Sequence, residues 1–274
     1  MSVEPPHSSK RIIINADDYG FAEEINKNII ACYKAGSVHR VSLCAHDIAG
    51  IPESFALLKE EGIRAIGIHI VLVGEGRPLS GPIKGLTSPE GFFFPRYPEI
   101  IKNFFLGKID MVRVKQEVEA QIERIKREGF ILTHLDSHQH THLFPFFTDF
   151  LLECAQEYGI PYVRCPYSER RTLLGAAVRY CAAQLRKKIQ NKGLQTSNWF
   201  KGFDRSCRVQ KKDLIAMLHS LPPGVTELMV HPGHRVDRTA PGKSRDQETH
   251  ALLSDDVREM IAEYEIGSTE ERAA

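Results

Sequence analysis

Four histidines and one aspartate fall within nine residues of this chain, in the run His134-Leu135-Asp136-Ser137-His138-Gln139-His140-Thr141-His142. Neutral imidazole is the commonest protein ligand for metals, and carboxylates either ligate or orient a ligating histidine. The apolar residues 130–133 just upstream read as a strand. In a strand alternate side chains share a face, so His134, Asp136 and His138 project to one side and Leu135 and Ser137 to the other. A solvated loop that is merely rich in histidine is the plainer account. Such density directly after an apolar strand favours metal chemistry, because α/β folds place their sites at strand ends. The tract alone does not say which histidines bind, and it lacks the cysteine spacing of a structural zinc site.

Three further groups of this kind sit at the ends of apolar runs. Residues 11–15 read as a buried strand that delivers Asp17 and Asp18 at its end, with Gly20 allowing a turn. The plain reading of the aspartates is a helix-capping turn, weaker for two than for one. Adjacent side chains diverge, so one aspartate can ligate a metal while the other does acid–base work. The β-branched run 63–73 is interrupted by a single histidine, His69; a lone strand histidine is as readily a satisfied core residue as a ligand. The strand at 226–230 ends in His231-Pro232-Gly233-His234, where proline and glycine fix the backbone.

Helices must alternate with these strands to hold them parallel. Helical segments are expected at 22–36, 52–61, 110–128, 146–158, 170–192 and 211–220, with a polar helix from 246. The 110–128 segment is the clearest, since Met111, Val114, Val118, Ile122 and Ile125 follow helical spacing. Further strands are expected at 40–45 and 161–165. Residues 74–108 form a lid or binding loop rich in Gly, Pro and Phe. Its phenylalanines suit stacking on sugars or burying lipid; covering the barrel core is the duller account and the one favoured. The resulting layout is a distorted (β/α) TIM-like barrel, one domain over 11–264. Residues 1–10 form a disordered tail and 265–274 a second tail. One carboxylate and two imidazoles would leave open positions on a divalent ion, which is the arrangement of a catalytic rather than a structural site.

The 274 residues are 42% hydrophobic and 26% charged, with a formal net charge of +1. No overall basic field recruits nucleic acid. The six scattered cysteines read as reduced thiols of a cytoplasmic protein, and no signal peptide or membrane-spanning run is expected. The basic segment 170–192 reads mainly as a solvated face and leaves peripheral membrane contact open.

Four segments resemble the YdjC/ChbG-like carbohydrate deacetylases. They are Asn15-Ala16-Asp17-Asp18-Tyr19-Gly20, Gly67-Ile68-His69, the histidine tract and His231-Pro232-Gly233, in the family's order, and Arg245 and Glu248 look like its ending. Tyr19 and Ile70 replace the more usual phenylalanine and leucine. The resemblance implies a distorted (β/α) barrel that removes N-acetyl groups from amino sugars. It implies Asp18, His69 and His138 as ligands of one divalent ion, Mg²⁺ or Zn²⁺. It makes Asp17 the general base and His231 a general acid or transition-state stabiliser. His134, Asp136, His140 and His142 are then supporting or substrate-contacting groups. His69-Ile70-Val71-Leu72-Val73 through Gly76-Arg77-Pro78-Leu79, with 193–203, resembles the hopanoid-biosynthesis-associated branch. That implies a small carbohydrate or a glycolipid such as an N-acetylglucosaminyl hopanoid as substrate. A homodimer is expected. The competing readings are a metal-dependent phosphoesterase on a His/Asp barrel and a non-catalytic metal- or carbohydrate-binding protein.

Overall fold

A computed structural model describes residues 10–233 and 242–267, with side chains omitted at 242–244. His234 and nearly all of the two expected tails lie outside the described residues.

Eight strands, all parallel where they pair, form one sheet. They are β1 (Lys10–Tyr19), β2 (Arg40–Leu43), β3 (Ala65–Ile70), β4 (Ile131–Ser137), β5 (Tyr162–Val163), β6 (Trp199–Lys201), β7 (Gly224–Val230) and β8 (Glu265–Ile266). The order is β5-β4-β3-β2-β1-β7-β6, and β8 pairs with β1. Strand β8 takes Arg11 and Ile12 of β1, before β2 joins the same strand at Asn15. Two residues of the segment expected as a tail thus complete the sheet's lower end. The curl does not close through a full ladder. Between β5 and β7, the Tyr162 hydroxyl donates to Glu227 at 2.6 Å, and the Ser197 backbone N–H donates to that hydroxyl at 3.1 Å. This is the distortion in the TIM-like barrel.

Helices cover the outside: α1 (Glu23–Lys34), α2 (Ile51–Glu60), α3 (Tyr97–Phe105), α4 (Met111–Arg127), α5 (Pro145–Glu157), α6 (Leu173–Asn191), α7 (Lys211–His219), α8 (Gly242–Leu253) and α9 (Asp255–Ala262). The clearest sequence helix starts where its chemistry says it should. The Asp110 carboxylate caps α4 by accepting from the Arg113 N–H at 3.1 Å, and Val114, Val118, Ile122 and Ile125 are buried. Helix α3 and the short strand β6 were not expected. The loop phenylalanines divide: Phe93 is buried in the core, whereas Phe92 and Phe105 face solvent. Covering the core therefore accounts for only some of them.

Candidate active site

Strand β1 runs through both aspartates, and its pairing with β2 is irregular between Ala16 and Tyr19. The cause is Asp18, whose φ of 68° lies in the left-handed region. That conformation costs a non-glycine residue roughly 1–2 kcal/mol. It is held by the Phe21 N–H donating to the Asp18 carbonyl at 3.2 Å and the Cys44 N–H to the Tyr19 carbonyl at 2.8 Å. The break in alternation lets two neighbouring carboxylates enter the same interior in different directions.

Asp18 Oδ1 lies 3.3 Å from His69 Nε2 and 3.0 Å from His138 Nδ1. Its Oδ2 accepts from Arg245, at the C-terminal end of the chain. His69 is turned by Asp136, whose Oδ1 accepts from His69 Nδ1 at 2.6 Å, leaving Nε2 toward Asp18. Such a carboxylate–histidine pairing is the usual support for an imidazole that ligates a metal. Gly74, on the loop after β3, packs on the His138 ring; a Cβ there would meet its Cδ2 at 2.9 Å. Asp18, His69 and His138 each place a ligand atom within 4.8 Å of the others, and the oxygen and nitrogen donors suit a divalent ion. His138 is the one with appreciable exposure, at 20%, so the trio opens toward the strand C-termini.

Asp17 faces a second cation. Arg164, fully buried just past β5, donates to Asp17 at 2.6 and 2.7 Å, to Asp136 at 2.7 Å and to Glu227 at 2.5 Å. Asn15 adds a bond to Asp17 at 2.8 Å. Asp17, His69 and Asp136 also cluster closely enough to hold a metal. The guanidinium already supplies the positive charge there. His231 Nε2 is 4.0 Å from Asp17 Oδ2 and 3.3 Å from Ser206 Oγ. The His231 backbone N–H donates to Glu248 at 2.7 Å.

Burial and partners set the charges. Burial pushes the Asp17 carboxyl up, but Arg164 outweighs it and holds the group well below the usual carboxylate range. Burial likewise opposes ionisation of Asp18, and Arg245 and His138 reverse it. Burial disfavours a charged His69, yet Asp136 and Asp18 push it up to about 10. The pocket therefore stabilises a cation at His69 Nε2, where a proton and a metal ion would compete. Burial lowers His231 to about 4, leaving a neutral imidazole, and raises Glu248 to about 8.

The other members of the histidine tract divide by side. His134 and Asp136 enter the barrel together: Ser42 Oγ donates to Asp136 at 2.7 Å and lies 2.9 Å from His134 Nε2. Gly67 makes room for that ring, since a Cβ there would lie 2.0 Å from His134 Nε2. Past the strand, Gln139 and His140 adopt left-handed φ values of 51° and 54° and turn the chain away. His142 Nδ1 meets Ser137 Oγ at 2.6 Å, and the His140 ring stacks on Phe203 with centroids 4.8 Å apart. These two histidines brace the turn and do not join the trio. Burial keeps both neutral.

Sequence reasoning missed Arg164, Arg245 as an Asp18 partner, Asn15, Ser42 and Glu227. One signal was available: a charged residue inside the apolar run 162–165 must be paired to be tolerated. Beside His138, a cavity of about 530 Å³ is lined by Asp47, Gly74, Glu75, Gly76, Arg77 and Phe92. The Arg77 guanidinium covers one face of Phe92 at 3.9 Å.

The model of the YdjC-like protein family matches residues 11–263, and the chain belongs to that family. A carbohydrate deacetylase of Thermoanaerobacter pseudethanolicus is 29% identical over 266 residues, covering 94% of this chain and 96% of that protein. The carbohydrate deacetylase of Mus musculus is 31% identical over 250 residues, covering 82% of this chain and 78% of its own length. A crystal structure from Enterococcus faecalis, of a protein named for a proposed role in cellobiose-phosphate cleavage, superposes with a TM-score of 0.77. It is 22% identical and covers 96% of this chain and 98% of that one, a likeness of fold.

Proposed function

We propose that the chain is a metal-dependent carbohydrate N-deacetylase that hydrolyses the acetamide of an N-acetylglucosamine unit and releases acetate. The observation that carries the reading is the convergence of Asp18, His69 and His138, with His69 oriented by Asp136. Asp18, His69 and His138 would hold a divalent ion, Mg²⁺ or Zn²⁺, which would supply Lewis-acid polarisation of the acetyl carbonyl and a lowered pKa for water. Asp17, kept ionised and oriented by Arg164, accepts a proton from the water attacking the carbonyl carbon. His231, neutral at rest and 4.0 Å from Asp17, receives that proton within turnover and delivers it to the departing nitrogen. The C–N bond breaks, and the products are acetate and the free amino sugar.

The substrate in this reading is an N-acetylglucosamine-containing oligosaccharide or glycolipid, an N-acetylglucosaminyl hopanoid included; the latter rests on the branch resemblance at 69–79 and 193–203. The half-exposed Phe92 beside the site is a platform for a neighbouring sugar ring. The test is acetate release from chitobiose, N-acetylglucosamine and an N-acetylglucosaminyl lipid by metal-loaded protein. Metal-loaded protein with no turnover on any of the three would sink the reading. A phosphoesterase would instead release phosphate and call for further free carboxylates, whereas Asp17 and Asp136 are both bonded to Arg164.

A further inference from the structure

Two exposed apolar ridges stand at the end of the barrel where the site opens. In a parallel β/α unit the helix begins at the C-terminal end of the strand before it, so the first turns of α5 and α6 lie at that end. The first turn of α6 carries Leu173 at 93% exposure and Leu174 at 61%, with the half-exposed Tyr167 on the connection leading to it. The second ridge is Phe105, at 80% exposure, and Leu106. Phe104 beside them stacks on Phe146, in the first turn of α5, with centroids 3.8 Å apart, which fixes this ridge at the same end. Single exposed apolar residues need no explanation, but two ridges of large ones beside one mouth do.

The charge around the ridges has one dominant sign. Residues 170–180, from just before α6 through its first turns, contain three Arg and no Asp or Glu, and Arg179 reaches back to the carbonyls of Ser168 and Arg170. Arg171 is exposed and has no ion-pair partner among the described residues. Arg170 donates from Nη2 to the Asp204 carbonyl at 2.8 Å and lies 3.6 Å from its carboxylate, with about half of its side chain still in solvent, and the neighbouring Glu169 is tied to Lys201 at 3.3 Å. Exposed Lys102 and Lys108 flank the second ridge. A two-fold copy of the chain docking here would bring Arg170 and Arg171 close to their own equivalents. An anionic sheet with an apolar interior complements both the charge and the ridges.

We infer that this rim docks on the surface of an anionic lipid bilayer, with Leu173, Leu174, Phe105 and Leu106 entering the headgroup boundary and Arg170 and Arg171 meeting lipid phosphates. Docking rests on the surface alone. Its use, holding the mouth over a lipid-linked sugar, rests on the deacetylase reading.

The experiment is co-sedimentation of the full chain with phosphatidylcholine vesicles, with and without phosphatidylglycerol. Binding is expected to require the anionic lipid and to weaken as salt rises. Leu173→Glu/Leu174→Glu should lower the partition coefficient on the order of tenfold or more, the scale of withdrawing one or two leucine side chains from an apolar phase. Phe105→Ser should lower it independently. All these side chains are in water in the free protein, so the melting temperature and turnover of a soluble substrate should stay unchanged. Phe105→Ser, on a separate element, keeps the test decisive if the double variant melts early. Partition no greater into anionic than into neutral vesicles, or variants that bind as the parent does, would overturn the proposal. So would a parent dimer that Leu173→Glu/Leu174→Glu converts to monomer, because the rim would then be covered by a second copy. Vesicle binding without turnover would leave docking intact and remove the deacetylase reading instead.

Discussion

Replacing Arg164 with leucine should damage stability more than removing any single carboxylate around it. The guanidinium is fully buried and touches three carboxylates, Asp17 at 2.6 Å, Asp136 at 2.7 Å and Glu227 at 2.5 Å. Breaking one buried pair by removing one partner costs roughly 3–5 kcal/mol. Here one cation serves three partners, and protonation of the stranded carboxyls limits the total. A loss of at least ~3–5 kcal/mol corresponds to roughly 6–20 °C at ~2–4 °C per kcal/mol. The pH dependence of the Asp17 contribution should invert as well. In the parent, Arg164 holds Asp17 below its unfolded pKa, so that stabilisation is present above about pH 3.9 and is lost as pH falls through the folded value. In Arg164→Leu, burial, the largest influence on Asp17, is opposed only by His69, His231 and the Asn15 bond, and the folded pKa rises. Stability from that group is then fullest below about pH 3.9 and is lost as pH rises through the raised value. Urea unfolding at pH 5, 6, 7 and 8 reads both effects, and the variant should gain more stability than the parent on acidification across this range, because the parent's Asp17 contribution is constant there. A loss under about 1 kcal/mol at pH 7, or a pH slope like the parent's, would refute the claim that one buried cation organises the site.

Asp18→Ala should empty the metal site, whereas Asp17→Asn should keep the metal and lower turnover by roughly 10²–10⁴, the contribution of a positioned general base; metal content measured beside acetate release would show the roles swapped if the metal is lost only in Asp17→Asn. His140→Ala and His142→Ala should retain metal, because both rings brace the turn against Phe203 and Ser137, and loss of metal in either would overturn that placement. Glu248 is raised to about 8 by burial, so the parent's stability should fall between its unfolded pKa near 4.3 and pH 8, by about 1.4 kcal/mol per pH unit from this group alone. Glu248→Gln should flatten that limb while still accepting the His231 N–H; an unchanged profile in denaturant titrations would rule the assignment out.

The parts of this site legible in the sequence are those that signal locally. A dense histidine tract after an apolar strand, an aspartate pair after another and a histidine before Pro-Gly each declare a strand end within a few residues. The family resemblance then chose among the histidines, which spacing alone did not do. Helix α4 was legible from periodicity and α1 from the glycine that closes it, but α3 was hidden by Pro98 and the aromatic loop before it. Strands β6 and β8, of three and two residues, are too short to show any period. What escaped is polar and distant in sequence. Ser42 meets Asp136 across 94 positions and Arg164 meets Asp17 across 147, each a single polar residue in an apolar strand or just past one. No pattern in either segment names its partner. Yet these contacts decide how the legible residues behave. Asp136 orients His69 through one oxygen and meets Arg164 through the other, while Asp17 takes two bonds from the same guanidinium. The orienting carboxylate of the trio and the candidate base thus share one cation, and a substitution at Asp136 should reach Asp17 without touching it.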